Sequence, residues 1–430
     1  LSAAVVVPPD AHRERGLDWL NLFVAAVQTG FGAFVPVYLT LNAWTQTQIG
    51  VVLSAETVAS MAGQVPGGAL VDLTPRRRRV LAGAILAIAA TALVLAASPL
   101  RLPVLGALIL HAFAGCVLAP AIAAVSLALV GHAGLGVRLG RNVRFASIGS
   151  ALGAAAMGAT GSLLSERAVF LLTACLALPA LWALRATGPA ADAPNAEAAA
   201  NNPADDDGTD TVAGAGQALG AIPDRAGPSP RVLALLRDRR LLVFAACVLL
   251  FHLSSAAILP VAAGEVTHRA GKGATLVIAA FIMVPQIVVA LLSPAVGRAA
   301  EQFGRRRLLL LGFLALPLRG ALFAVVGAPS ALVAVQALEG VGGAVFGVMV
   351  PLVAADITRR TGHYSLCLGL LGLVTASGAA LSTTLAGAIA DLWGKASAFG
   401  VLGGIGMLAV LLVLAAMPET REAAPPTHQG

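Results

Sequence analysis

The chain has 430 residues, of which 58% are hydrophobic and only 11% charged, with a formal net charge of +7. Soluble domains carry about 25% charged residues, so a water-soluble globule of this length would have nowhere to bury so much apolar surface. The basic balance does not point to nucleic acid, because the arginines stand in short loops between apolar runs.

A membrane span needs about 20 mostly apolar residues, because the hydrocarbon core is about 30 Å thick and a helix rises 1.5 Å per residue. In chain order, a polar tail over 1–16 with no cleavable signal segment precedes six such runs, at 17–41, 49–72, 79–98, 103–130, 142–164 and 167–186. The stretch 187–236 is rich in Ala, Asp, Pro, Asn and Gly and includes Asn201-Asn202-Pro203-Ala204-Asp205-Asp206-Asp207. Such a segment buries too little apolar area to offset its ordering entropy, so a disordered cytoplasmic linker is expected. At its far end, Arg231 to Arg240, Leu233, Leu235 and Leu236 stand among arginines and read as a short interfacial helix. Six more runs follow, at 240–263, 274–297, 308–326, 330–356, 364–389 and 395–417, before a tail over 418–430. The expected architecture is an all-α membrane protein of twelve transmembrane helices, with one six-helix bundle over 17–186 and another over 237–417.

Cytoplasmic loops carry an excess of Lys and Arg. Arg76 to Arg79, Arg138 with Arg141, the Arg237 to Arg240 cluster, Arg298 with Arg305 to Arg307, and Arg359 with Arg360 all fall on one side. The opposite loops hold scattered charges such as Arg101, Arg167, Arg269, Lys272 and Lys395. A multi-pass protein of the inner (cytoplasmic) membrane, with both termini and the linker cytoplasmic, is therefore expected. Cys116, Cys175, Cys247 and Cys367 lie in apolar runs without paired spacing and read as packing residues, with no metal or disulfide.

One pattern occurs twice. After the second run the chain reads Gly68-Ala-Leu-Val-Asp72-Leu-Thr-Pro-Arg76-Arg77-Arg78-Arg79, and after the eighth Gly297-Arg-Ala-Ala-Glu301-Gln-Phe-Gly304-Arg305-Arg306-Arg307, 229 residues further on. These residues resemble the loop motif of the major facilitator superfamily (MFS), Gly-x-x-x-Asp-x-x-Gly-Arg-Arg, with Pro75 where a Gly is usual in the first copy. The resemblance covers nearly the whole chain and implies the MFS fold, two pseudo-symmetric six-helix bundles that rock around a central site. It also implies a gating role for Gly68, Asp72, Arg76 and Arg77, and for Gly297, Glu301, Gly304, Arg305 and Arg306. The physical logic is that a Gly lets two helices approach, while a carboxylate at a helix end pairs with an arginine across the bundle interface until that interface opens. Arginines that only set topology are the alternative.

An ionisable group at membrane depth costs about 2.5 to 3.5 kcal/mol, so each one near mid-span is a candidate for substrate or proton binding. Asp18, Asp356 and Asp391 stand near span ends and read as anchors or caps. Glu56 lies in the second run; His111, in Leu110-His111-Ala112-Phe113-Ala114-Gly115, lies in the fourth. Many MFS drug/proton antiporters have an Arg-x-x-x-Gly pattern there, and His111 stands at the Arg position, where it can titrate near neutral pH. His252 sits in the polar cluster Phe251-His252-Leu253-Ser254-Ser255, and Gln336 and Glu339 precede a run of glycines. The family's first, fourth, seventh and tenth spans line the cavity, which implicates Gln28, His111, His252 and Glu339; each histidine has an interhelical hydrogen bond as its alternative. Arg319, inside the ninth run, either pairs with a carboxylate such as Glu339 or binds an anionic substrate. The glycines from Gly149 to Gly161 partly match the antiporter motif of the family's exporters, with Ala154 where a Pro is usual; small residues that simply pack helices closely, as in any membrane protein, are the alternative.

No catalytic set or phosphate loop is apparent, so neither an enzyme nor a cofactor is expected. Energy must then come from a gradient, and the titratable groups make protons the expected coupling ion. The leading expectation is a monomeric secondary active transporter that moves a small organic solute by alternating access, as proton-coupled export (antiport). Proton-coupled uptake (symport) of a small polar or anionic solute is the alternative, and a transporter-like sensor that moves nothing is the third.

Overall fold

The structure is a computed structural model, and it describes residues 11–31, 34–192, 237–262, 274–359 and 362–421. All regular structure among these residues is helical. The first half comprises α1 (Ala11–Thr29), α2 (Phe34–Leu41), α3 (Gln46–Leu73), α4 (Arg77–Ala97), α5 (Arg101–Leu163) and α6 (Glu166–Ala186), followed by a 3-10 turn at Pro189–Asp192. The second comprises α7 (Arg239–Ser255), α8 (Ala274–Phe303), α9 (Arg305–Val325), α10 (Pro329–Val335), α11 (Ala337–Thr358), α12 (Tyr364–Trp393) and α13 (Lys395–Ala416).

Ten described segments are long and apolar enough to cross a membrane. One of them, α5, has 63 residues and would be about 95 Å long if straight. It holds two crossings, because Gly131, at φ 65° and ψ −177°, breaks the helix between them. A further crossing is α3, whose 28 residues include Glu56, Gln64 and Asp72 and are less apolar. Together these make twelve crossings. Large apolar side chains point outward all around, among them Leu102, Leu163 and Trp393, as lipid-facing helices require.

Small residues set how closely helices approach. In the first half Gly149 lies against the backbone of Leu22 and Gly153 against Ala26, drawing α5 onto α1; in the second, Gly320 meets Gly403 and draws α9 onto α13.

Three boundaries differ from expectation. The first run is divided into α1 and α2, and the fifth crossing continues directly from Gly131, not from 142. The stretch assigned to the linker begins as ordered chain, because Asp192 turns back and its Oδ1 accepts from the Arg78 N–H at 2.9 Å. The rest of that stretch, most of the expected interfacial helix, and Arg269, Lys272 and Arg360 lie outside the described residues. Asp238 caps α7, accepting from the Arg240 N–H at 2.7 Å.

The expected C-terminal tail likewise starts docked. Glu419 accepts from the Arg305 N–H at 2.8 Å and the Arg306 N–H at 3.2 Å. Partial burial pushes its carboxyl up, but the N–H groups of Arg305, Arg421 and Arg306 and the Arg305 charge outweigh this and hold it below the usual carboxylate range. Asp192 and Glu419 are thus equivalent in the two halves, each following the last helix of its bundle and capping the helix that follows the repeated motif.

Candidate functional site

The repeated motifs lock the two halves together on one face of the molecule. Asp72, at the end of α3, accepts from the N–H groups of Ser365 and Leu366 at 3.0 and 2.7 Å. These amides begin α12, where the helix dipole favours an anion. Glu301 of α8 accepts from the Gly136 N–H at 2.9 Å, five residues past the break in α5. Gly68 lies against the Ser365 carbonyl and Gly297 against the Gly136 carbonyl, approaches that any side chain would obstruct.

This corrects the expected pairing. The two carboxylates reach across the interface to backbone amides, whereas their arginines stay within their own halves. Arg305 meets Glu301 of α8 at 3.8 Å and Asp356 of α11 at 3.0 Å, and Arg77 stands in the field of Asp72 and Asp192. A buried amide at a helix N-terminus needs an acceptor, and a carboxylate supplies one without burying a second charge.

Above this gate lies a cavity of about 430 Å³, within the range of small-molecule sites. Its polar lining consists of Asn21 and Gln28 of α1, Gln64 of α3, Asn142 of α5 and Thr375 of α12, and the rest is apolar or glycine, including Phe346 of α11. Among the described residues, no formally charged one lines it.

Three of the expected residues converge beside it. The Nδ1 of His111 lies 2.9 Å from Glu56 Oε1, and its Nε2 lies 3.0 Å from Gln28 Oε1. The imidazole stacks on Phe31 at 3.9 Å between ring centroids. A carboxylate accepts, so Nδ1 donates to Glu56, while the Gln28 amide can meet Nε2 with either its oxygen or its N–H₂ group, according to the tautomer. Gln28 belongs to this cluster and to the cavity wall alike.

The other expected residues lie elsewhere. Arg319, 2% exposed, binds Glu339 through Nη1 and donates to Gln336 Oε1 from Nε at 3.1 Å and from Nη2 at 2.8 Å. Gln336 in turn donates to the Phe281 carbonyl at 3.3 Å, and the guanidinium stands 5.7 Å from the Phe323 ring centroid. These groups tie α8, α9, α10 and α11 together, and none of them lines the cavity. His252 makes no interhelical hydrogen bond among the described residues. Its Nε2 is buried without a partner, and its ring stands edge-on to Phe346 at 4.8 Å, one layer behind the cavity.

Sequence reasoning missed the amides Asn21, Gln64 and Asn142. Asn142 is held by a network under the cavity: Arg138 Nε donates to its Oδ1 at 2.9 Å, and its Nδ2 donates to Ser126 Oγ at 2.7 Å. Arg138 also binds Asp18, which Arg141 binds as well, so the anchor expected at Asp18 is an ion pair between α1 and α5. The signal was present, since a neutral amide inside an apolar run also needs a partner.

The family model described as Major Facilitator Superfamily matches residues 19–289 and 245–429. Two uncharacterised MFS-type transporters of Mycobacterium tuberculosis, from strains CDC 1551 / Oshkosh and ATCC 25618 / H37Rv, are each 36% identical over 424 residues, covering 97% of this chain and 95% of the relative. Among solved structures, the human organic anion transporter MFSD10 (TETRAN) aligns at a TM-score of 0.68 and 18% identity, over 95% of this chain and 100% of that one. The E. coli fucose:proton symporter FucP aligns at 0.67 and 12% identity, over 93% and 97%.

Proposed function

The chain belongs to the major facilitator superfamily and is a membrane transporter, and from that premise we propose proton-coupled export of a small, uncharged organic solute by alternating access. The observation that carries this reading is the double position of Gln28, which binds the protonatable pair His111–Glu56 and also faces the cavity. When His111 is the imidazolium, Gln28 turns its oxygen to the ring and leaves its N–H₂ group for the cavity. When the ring keeps only the proton shared with Glu56, Nε2 becomes an acceptor, and the Gln28 amide satisfies it by rotating half a turn. The wall then offers an acceptor where it offered a donor. Among the described residues, Glu56 is the ionisable side chain that meets the ring, so protonation of this pair and the hydrogen-bonding character of the site are one equilibrium.

An uncharged lining suits a neutral solute with a few polar groups in an apolar frame. An anionic solute would need a cation there, and Arg319 is committed to Glu339 and Gln336. The glycine run of the fifth crossing supports antiport. In this reading the motif face is cytoplasmic with both termini, the membrane is the inner one, and the transporter works as a monomer.

The test compares small molecules inside and outside cells that carry the wild-type gene, Glu56→Gln, or no gene, at two external pH values. We expect one compound to accumulate in cells without the gene. Wild type should clear it, more strongly at the lower external pH, because the inward proton gradient is then steeper, and Glu56→Gln should lose that pH response. A compound left in the medium by cells without the gene would make the protein an importer. Export with an unchanged pH response in Glu56→Gln would remove the pair from the coupling.

A further inference from the structure

We propose that the hollow between α4 and α6 on the motif face binds the phosphate headgroup of an anionic phospholipid. The hollow has a volume of about 470 Å³ and is lined by Arg76, Arg78, Arg79 and Arg185, with Asp192 as its only acidic residue among the described residues. That carboxylate is already engaged by the Arg78 N–H. Arg78 reaches inward, where Nη2 donates to the Arg185 carbonyl at 3.3 Å while its Nε is buried without a hydrogen-bond partner among the described residues. The guanidinium groups of Arg76, Arg79 and Arg185 form no ion pair among the described residues. Four arginines thus line one space against a single carboxylate.

The walls decide between a soluble anion and a lipid. One side of the hollow is polar, and the other runs out along Leu86 and Leu181, with Leu86 55% exposed on the outer surface of α4. Trp182, 67% exposed, stands on α6 less than one turn before Arg185. Exposed Trp marks the level of the headgroups, and basic pockets between transmembrane helices at that level hold anionic headgroups. A diester phosphate fits among the arginines with its acyl chain along Leu86; a free phosphate would leave the leucine wall without a role. The other half places Glu419 and Asp356 against Arg305, so its motif arginines are better compensated.

The test uses the full chain purified in detergent, with phosphatidylglycerol, phosphatidylcholine or inorganic phosphate added, and reads bound lipid by native mass spectrometry and the unfolding temperature. Arg79→Gln/Arg185→Gln should weaken phosphatidylglycerol binding about thirtyfold, at roughly fivefold for each basic residue near a membrane surface. Both positions are exposed, so in phosphatidylcholine this variant should unfold at the wild-type temperature; if it does not, Arg76→Gln, also exposed, takes its place. Equal phosphatidylglycerol binding by wild type and variant overturns the proposal. So does protection by inorganic phosphate equal to that by the lipid, which would make this a free-anion site.

Discussion

Glu339→Gln is expected to lower the unfolding free energy by about 3–5 kcal/mol, the cost of leaving one member of a buried pair uncompensated. The variant strands Arg319, which is 2% exposed and has Gln336 as its remaining partner. A guanidinium cannot shed its proton at accessible pH, so the charge stays. The reverse change should be milder. Arg319→Met leaves Glu339, whose side chain is 32% exposed and can be hydrated; about 2 kcal/mol is expected. The double variant Arg319→Met/Glu339→Gln should recover most of the loss, because it removes both charges from the helix interface. Thermal or denaturant unfolding of the purified variants closes this cycle. Additive losses would mean that the pair is not coupled, and loss of transport in a double variant of wild-type stability would return both residues to the transport site.

Gly68→Val should shift the protein toward the state in which the motif face is open. The valine would meet the backbone of Ser365, which has no flexible end to yield. Overpacking of this kind costs about 1–3 kcal/mol, and here it falls only on the closed state, so the closed-to-open ratio should drop about 5- to 150-fold. Gly83→Val is the control, since a side chain there meets nothing within 4 Å. The reporter is Val350→Cys in the cavity, labelled from the motif face by a membrane-impermeant maleimide. Cys175, the exposed native cysteine, is replaced, and Cys116, Cys247 and Cys367 are buried. Labelling should rise in Gly68→Val alone. Unchanged labelling of the folded variant would show that the contact between α3 and α12 does not set the gate.

Apolar run length made the crossings legible, and the paired motif made the two halves legible, because both are local patterns. The partners of the motif were not. Asp72 and Glu301 bind backbone amides of Ser365, Leu366 and Gly136, and an amide carries no side-chain signature. The candidate residues were found one at a time by the cost of polar groups in a membrane. That criterion selects His111 and Glu56 equally with Arg319 and Glu339, while Gln28 came from the family's cavity-lining first span, and only packing separates the trio beside the cavity from the pair behind it. The same criterion, confined to ionisable groups, passed over Asn21, Gln64 and Asn142, which supply most of the polar lining. Gln336 was placed with the substrate residues, whereas its side chain serves as the bracket for Arg319.

Gly131 joins two regions that the functional reading treats apart. His111 stands twenty residues before it on α5, about 30 Å of helix, and Gly136, whose amide holds Glu301, stands five residues after it. Regular helix runs up to Gly131 from one side and away from it on the other, with no slack chain between. The limb that carries His111 and the point where Glu301 fastens the opposite bundle are therefore joined through a single glycine, with no loop between them to absorb a displacement.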